Sequence, residues 1–147
     1  MNIVAQNRKA RYEYSILDTF EAGIALKGTE VKSLRDGKGN IAESFVEVKN
    51  NEAFLINAYI PEYSKARMFN HFPRAPRKLL LHKKEIRKIE TQIKLKGLTV
   101  VALKLYFNRK NKAKVEIAVA RGKKKHDKRE AIKEREFERR KAKKDFL

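Results

Sequence analysis

Three histidines, eighteen carboxylates and no cysteine limit the chemistry open to this chain. His71, His82 and His126 are scattered, and no two stand at a metal-ligand spacing. Without a thiol there is no disulfide framework, cysteine nucleophile or zinc–thiolate site. Asp18, Glu21 and Glu30 could gather for two-metal nuclease chemistry, but their spacing fits ordinary surface pairing with Lys and Arg equally well. Gly37-Lys38-Gly39-Asn40 superficially looks like a phosphate loop, yet it lacks the upstream glycine and the following Ser or Thr, and a turn accounts for it. The residues therefore predict no catalytic site, no metal and no cofactor: not an enzyme.

What the residues do supply is positive charge beside aromatic rings. Lys and Arg number 37 against 18 Asp and Glu, a formal net charge of +19. Fixed phosphates reward such an excess through counterion release, which points first to a nucleic acid. Basic clusters fall at Arg8-Lys9-Arg11, Arg77-Lys78 and Lys123-Lys124-Lys125, and Tyr12, Tyr14, Phe69, Phe72 and Tyr106 have Arg or Lys nearby. Aromatic stacking beside a basic groove is how splayed bases are held. For any one of these rings a place in the core or rim of the fold is the competing assignment. An anionic membrane is the rival partner, but no apolar run approaches the roughly 20 residues of a membrane span. No secretory h-region follows Met1, and a cytoplasmic protein without membrane association is expected.

These groups must be positioned by a small β-rich body. Residues 98–107 and 113–120 are β-rich runs joined by five polar residues, a hairpin by pattern. The period of two puts Val101, Leu103, Leu105 and Phe107 on one face of the first run, and Val115, Ile117 and Val119 on one face of the second. Tyr12, Tyr14 and Ile16 alternate with polar residues as a first strand, and Asp18-Thr19 predicts a turn into a second strand carrying Phe20, Ile24 and Leu26. Residues 30–35 read as a short helix capped by Thr29 and ended by Gly37. Residues 41–49 and 52–60 form a second hairpin across Asn50-Asn51, which tolerate left-handed turn backbone. Residues 61–76 hold all three prolines and read as a long loop. Residues 77–81 are extended. A longer helix follows, with Ile86, Ile89 and Ile93 as its apolar stripe, Glu85 placed for a capping box and Gly97 as its end. The predicted class is mainly β with helices: an OB-type six-stranded antiparallel barrel with one short and one longer helix, ordered β-β-α-β-β-α-β-β.

From Lys123 the composition changes. Residues 1–122 form the expected RNA-binding body, and 123–147 a basic C-terminal tail rich in helix formers with neither Gly nor Pro. Its apolar residues are too sparse to seal a core face, and a helix this short is marginal in water. The tail is expected to be disordered when free and helical when bound.

Four stretches together resemble one family. They are Asn7-Arg8-Lys9-Ala10-Arg11 with Tyr12-Glu13-Tyr14; Phe20-Glu21-Ala22-Gly23 with Leu26 through Arg35 (LKGTEVKSLR); Arg77-Lys78-Leu79-Leu80-Leu81-His82; and Val119 through Arg129 (VARGKKKHDKR). In order and over nearly the whole chain, they resemble the SsrA-binding proteins, also called small protein B, the tmRNA-binding partners of bacterial trans-translation. The resemblance implies an OB-type body that binds the tRNA-like domain of tmRNA and carries alanine-charged tmRNA to stalled ribosomes, with elongation factor Tu engaged indirectly through the alanyl-tmRNA. It also implies a monomer, whose tail enters the vacant mRNA channel of the small ribosomal subunit and folds there against rRNA at the decoding centre. A ribosome holding an intact message would exclude the tail. An OB-type RNA-binding or ribosomal protein without a rescue role is the alternative.

Carried over motif by motif, the family's RNA-contacting asparagine falls on Asn7, its FEAG glutamate on Glu21 and the middle leucine of its RKLLL run on Leu80. Asn7 would bond a base edge or fix a local turn. Glu21 would accept from a base amino group or a 2′-hydroxyl, with a salt bridge to a lysine as its competitor. Leu80 would pack on an unstacked base or seat the barrel. Arg8, Arg11, Lys32, Arg35, Arg77, Lys78, Lys123 and Lys124 complete the expected tmRNA-binding set. Lys125, His126, Asp127, Lys128, Arg129, Lys133, Arg135 and Phe137 form the expected ribosome-binding tail. At the last of these positions many relatives carry Trp, and Phe137 keeps the stacking face without the indole donor. The segment 70–76 departs from the commoner family pattern, so no contact is carried onto it.

Overall fold

The computed structural model describes residues 2–123. Within them the order is β1 (Asn2–Gln6), α1 (Ala10–Glu13), β2 (Tyr14–Ile24), α2 (Gly28–Arg35), β3 (Phe45–Lys49), β4 (Glu52–Ile56), β5 (Arg77–Leu80), α3 (Lys83–Lys96), β6 (Thr99–Phe107) and β7 (Ala113–Gly122). Every pairing is antiparallel. The pairings β6–β3–β4–β5–β2–β7 return to β6, so six strands close a ring. β1 lies outside the ring, alongside the Lys104–Phe107 half of β6 that β3 leaves unpaired.

The class is as expected, mainly antiparallel β with an OB-like closure, but the strand assignment needs correction. Seven strands and three helices are present among the described residues, not six and two. The expected first two strands are one strand, β2. Asp18-Thr19 makes no chain reversal: the pairing with β7 slips between Ile16 and Asp18, and the Asp18 carboxylate accepts the Thr19 N–H at 2.9 Å. Turn-forming residues can serve a β-bulge as well as a turn, because both take one residue out of the ladder. β1 and β5 are the strands added, and α1 is a single helical turn. β3 begins only at Phe45, because Ser44 folds back on the Ile41 carbonyl through its N–H (3.1 Å) and Oγ (2.7 Å). β4 ends at Ile56 because Asn57 takes a left-handed φ of 63°.

Other local signals act where they were read. Asn50 and Asn51, at φ 53° and 61°, turn β3 into β4. Gly97 closes α3 at φ 62°, and Glu85 accepts the His82 N–H at 3.0 Å. At α2 the cap differs. The helix starts at Gly28 after Lys27, whose N–H is bound by Glu30 at 2.8 Å, while the Thr29 hydroxyl bonds His71 instead.

The main core fills the ring with Leu34, Ile41, Leu55, Leu79, Ile89, Leu105, Val115, Ile117 and neighbours. A second small cluster joins Val101, Leu103, Ala118 and Ala120 to Ala10 of α1. The single face predicted for β6 is therefore split. Leu105 and Phe107 enter the main core, whereas Val101 and Leu103 face α1. The cause is a register slip between Ala102 and Lys104, which inverts the side-chain phase of the strand beyond it.

Candidate nucleic-acid interface

On the outside of the ring, β2 and β5 meet at only two residue pairs, Gly23 with Leu80 and Ile24 with Leu79. Beside that short seam lies an open groove of about 750 Å3, lined by Glu21, Lys78, Leu80, His82, Lys83 and Lys114 among others. Leu80 is 55% exposed, unusual for a leucine on a strand. It stands over Gly23, where an added Cβ would lie 3.1 Å from the Leu80 Cβ, so the glycine is what lets the leucine sit there. Lys78, two residues back on the same outer face, makes an exposed ion pair with Glu52 at 3.7 Å, a contact of small energetic weight that leaves the ammonium available to an anion.

Glu21 forms one wall of the groove. It accepts a short hydrogen bond from the Tyr106 hydroxyl. In the β2–β7 register Glu21 lies opposite Glu116, an arrangement of like charges that costs energy. It is relieved on both sides: Lys104 pairs with Glu116 at 3.6 Å, and Tyr106 donates to Glu21. Burial pushes the Tyr106 phenol above its ordinary range, and the hydrogen bond to Glu21 and the charges of Glu21 and Glu116 push the same way. A protonated phenol thus holds an exposed carboxylate in one pose, facing the groove with acceptor capacity to spare.

The comparisons with known proteins decide the family. The family described as SmpB protein matches residues 4–145. The SsrA-binding protein of Zymomonas mobilis is 62% identical over 137 residues, covering 93% of this chain and 86% of the relative. The SsrA-binding protein of Azorhizobium caulinodans is 58% identical over 140 residues, covering 95% and 88%. This chain belongs to the SmpB family. A solved chain described in the words "tmRNA-SmpB: a journey to the center of the bacterial ribosome" superposes with a TM-score of 0.69 at 51% identity, covering 86% of this chain and 92% of that one.

The residues expected to serve an SmpB protein in RNA binding do not form one surface. Glu21, Lys78 and Leu80 share the groove. Arg8 and Arg11 are exposed around α1, where the chain leaving β7 is fastened: the Lys123 N–H bonds the Glu13 carbonyl at 2.9 Å and its Nζ the Arg11 carbonyl at 3.0 Å. Lys32 and Arg35 lie on α2. Lys32 is 5.8 Å from the Tyr63 ring, and Arg35 stacks 4.7 Å from the Phe107 ring while donating to Asn111 at 3.1 Å.

Two of the expected contacts turn inward. Arg77 is 3% exposed. Its Nε donates to Glu30 at 2.5 Å, Nη1 to the Ala58 carbonyl at 2.6 Å, and Nη2 to the carbonyls of Phe72 and Pro73 at 3.2 and 3.0 Å. That guanidinium has no face left for RNA, and the expectation is corrected: strand alternation puts Lys78 and Leu80 outside and Arg77 inside. Asn7 is 8% exposed and its Nδ2 donates to the Ala102 carbonyl of β6 at 3.1 Å, so its side chain ties the end of β1 to a strand far away in the chain, a role neither reading named. The carboxylates weighed for nuclease chemistry are apart: Asp18 pairs with Lys88, Glu21 with Tyr106 and Glu30 with Arg77. Among the described residues no cluster of His, Asp and Glu could hold a metal ion.

Lys124, Lys125, His126, Asp127, Lys128, Arg129, Lys133, Arg135 and Phe137 lie outside the described residues. Tyr106 as the clamp of Glu21, and Lys83 and Lys114 as walls of the groove, were missed as a site by sequence reasoning. Only the strand register brings β6, β7 and the start of α3 to Glu21.

Proposed function

We propose that this SmpB-family chain is an RNA-binding adaptor that grips the tRNA-like domain of tmRNA and delivers it to stalled ribosomes for trans-translation. The observation that carries this reading is the groove, where a clamped carboxylate, an exposed leucine and lysines stand together. Glu21 accepts from a base amino group or a 2′-hydroxyl, Leu80 covers the face of an unstacked base, and Lys78, Lys83 and Lys114 neutralise flanking phosphates. RNA supplies all three chemistries at once: donor edges, apolar base faces and fixed anions.

The body is residues 1–122 and the tail 123–147. The tail enters the empty mRNA channel and becomes helical against rRNA, with Lys128 and Arg129 on phosphates and His126 stacking on a base. Elongation factor Tu takes part through the alanyl-tmRNA, the protein acts as a monomer in the cytoplasm, and it catalyses no reaction. Family membership, a net charge of +19 and the fastening of Lys123 beside Arg11 support this division. No helix among the described residues is long and apolar enough to cross a membrane.

The test is a gel shift of the full chain with the tRNA-like domain of tmRNA against bulk RNA of equal length. Preferred binding of the tRNA-like domain, lost in Glu21→Ala, is the expected outcome. Equal retention of both RNAs would reduce the protein to a general RNA-binding module.

A further inference from the structure

Residues 61–76 carry three of the four most exposed large apolar side chains among the described residues, Leu95 on α3 being the other. Met68, Phe69 and Phe72 are 84%, 83% and 80% exposed. A loop that merely strayed from the core would leave such groups free to fold back. This one is fastened. The His71 ring is buried; its Nε2–H donates to the Ile60 carbonyl at 2.8 Å, and its Nδ1 accepts the Thr29 hydroxyl at 2.9 Å. Asn70 holds both backbone groups of Tyr63, at 3.0 and 2.9 Å, closing the segment between them. Arg77 grips the carbonyls of Phe72 and Pro73, and the Ser33 hydroxyl holds the Pro61 carbonyl at 2.7 Å. Backbone ties thus stand on both sides of the exposed rings, and the ordering cost of presenting them is met within the fold.

Three cations, Lys65, Arg67 and Arg74, are interleaved with these rings, against one carboxylate, Glu62. Aromatic faces among cations match a base flanked by phosphates better than they match an apolar protein surface or a second, equally basic copy of this chain. The loop is also continuous with the groove. Along β5, the alternation that points Arg77 and Leu79 inward leaves Pro76, Lys78 and Leu80 exposed in a row leading from the groove to the loop. At about 3.3 Å per residue this row is on the order of 13 Å, the span of about four bases stacked at ~3.4 Å.

We infer that the 61–76 loop is a second contact for the same RNA, with Phe69 and Phe72 stacking on unpaired bases of the tRNA-like domain while Lys65 and Arg67 meet adjacent phosphates. This rests on the tmRNA reading of the groove and extends its footprint beyond Glu21 and Leu80.

The chain contains no tryptophan, so Phe69→Trp in the full-length protein gives a single-site probe. Its emission should be quenched on addition of the tRNA-like domain. The double variant F69A/F72A should bind that RNA about tenfold or more weakly, with an unchanged melting temperature and an unchanged dependence of affinity on salt. K65Q/R67Q should instead flatten the salt dependence, by a slope of about one to two. Unquenched emission from the Phe69→Trp variant together with full affinity in F69A/F72A, while Glu21→Ala still weakens binding, would overturn the loop assignment and leave the groove standing. Failure of the unmodified chain to prefer the tRNA-like domain would remove the groove reading itself. Quenching that depends on protein concentration, without RNA, would give the patch to a second copy and likewise overturn the proposal.

Discussion

The Glu21 carboxylate meets the groove with one oxygen already committed to Tyr106. Removing either partner therefore has two effects. Tyr106→Phe should leave Glu21 free to rotate against Glu116, weakening RNA binding severalfold and costing about 1–2 kcal/mol of stability by denaturant melt. Glu21→Ala should cost binding more, about tenfold, and stability about 1 kcal/mol, because it strands a buried phenol. The same pair predicts a pH effect. The Tyr106 phenol is held above its ordinary value of about 10, so above that pH the unfolded chain gives up its proton while the folded chain keeps it. Stability from this group is whole below pH 10 and lost as pH rises beyond it. Unfolding curves at about pH 8 and pH 11 should show a larger loss in the unmodified protein than in Tyr106→Phe, and equal losses would refute the linkage. Gly23 is a third single-residue test. Gly23→Val should displace Leu80 from its perch and weaken RNA binding, whereas Leu80→Ala should weaken it with little change in the melt.

At the scale of elements, the ion pair of Arg77 and Glu30 joins β5, α2, the Ala58 carbonyl and the 61–76 loop in one buried cluster. Such a pair contributes little net energy against an apolar replacement, but breaking it leaves a buried charge alone. Arg77→Met should destabilise by about 3–5 kcal/mol and loosen the loop, which amide exchange at residues 61–76 would reveal. Arg77→Lys should rescue little, since one ammonium cannot serve four acceptors spread over a planar fork. An unaltered melt in either variant would return Arg77 to the RNA-facing set. Elements also explain the strand errors. Asp18-Thr19 and the β6 alternation both look regular over a short window, and in both places a slip in pairing with β7 changes the phase. A bulge depends on the partner strand, which can lie far away in the chain, so no local pattern announces it.

For the whole molecule, the charge excess sets the response to salt and the end of β7 marks where the proposed tail begins. Affinity for RNA should fall steeply and linearly with the logarithm of salt concentration, by a slope of about 0.7–0.9 per phosphate neutralised. A flat response would argue against phosphate-led binding. Truncation after Gly122, where β7 ends, should preserve binding to free tmRNA apart from the share carried by Lys123 and Lys124, and abolish tagging of chains on stalled ribosomes. Normal tagging by the truncated protein would remove the tail from the mechanism.

The amino-acid sequence by itself determined the mainly antiparallel β class, both tight hairpins, the two longer helices, the basic character and the family, because those rest on periodicity, glycine and asparagine backbone preferences, charge and contiguous motifs. Glu21, Lys78 and Leu80 were legible as candidates for the same reason, each sitting in a stretch read as a unit, and the structure puts all three on one groove. Only the tertiary structure decided that Arg77, one residue from Lys78, faces inward, that β1 and β5 complete the sheet, that Tyr106 clamps Glu21, and that Phe69 and Phe72 are held in solvent. Burial and hydrogen-bond partnership are properties of pairs far apart in the chain, fixed by strand register and ring closure, and a residue's type says what it can bond but not which side of the sheet it will face.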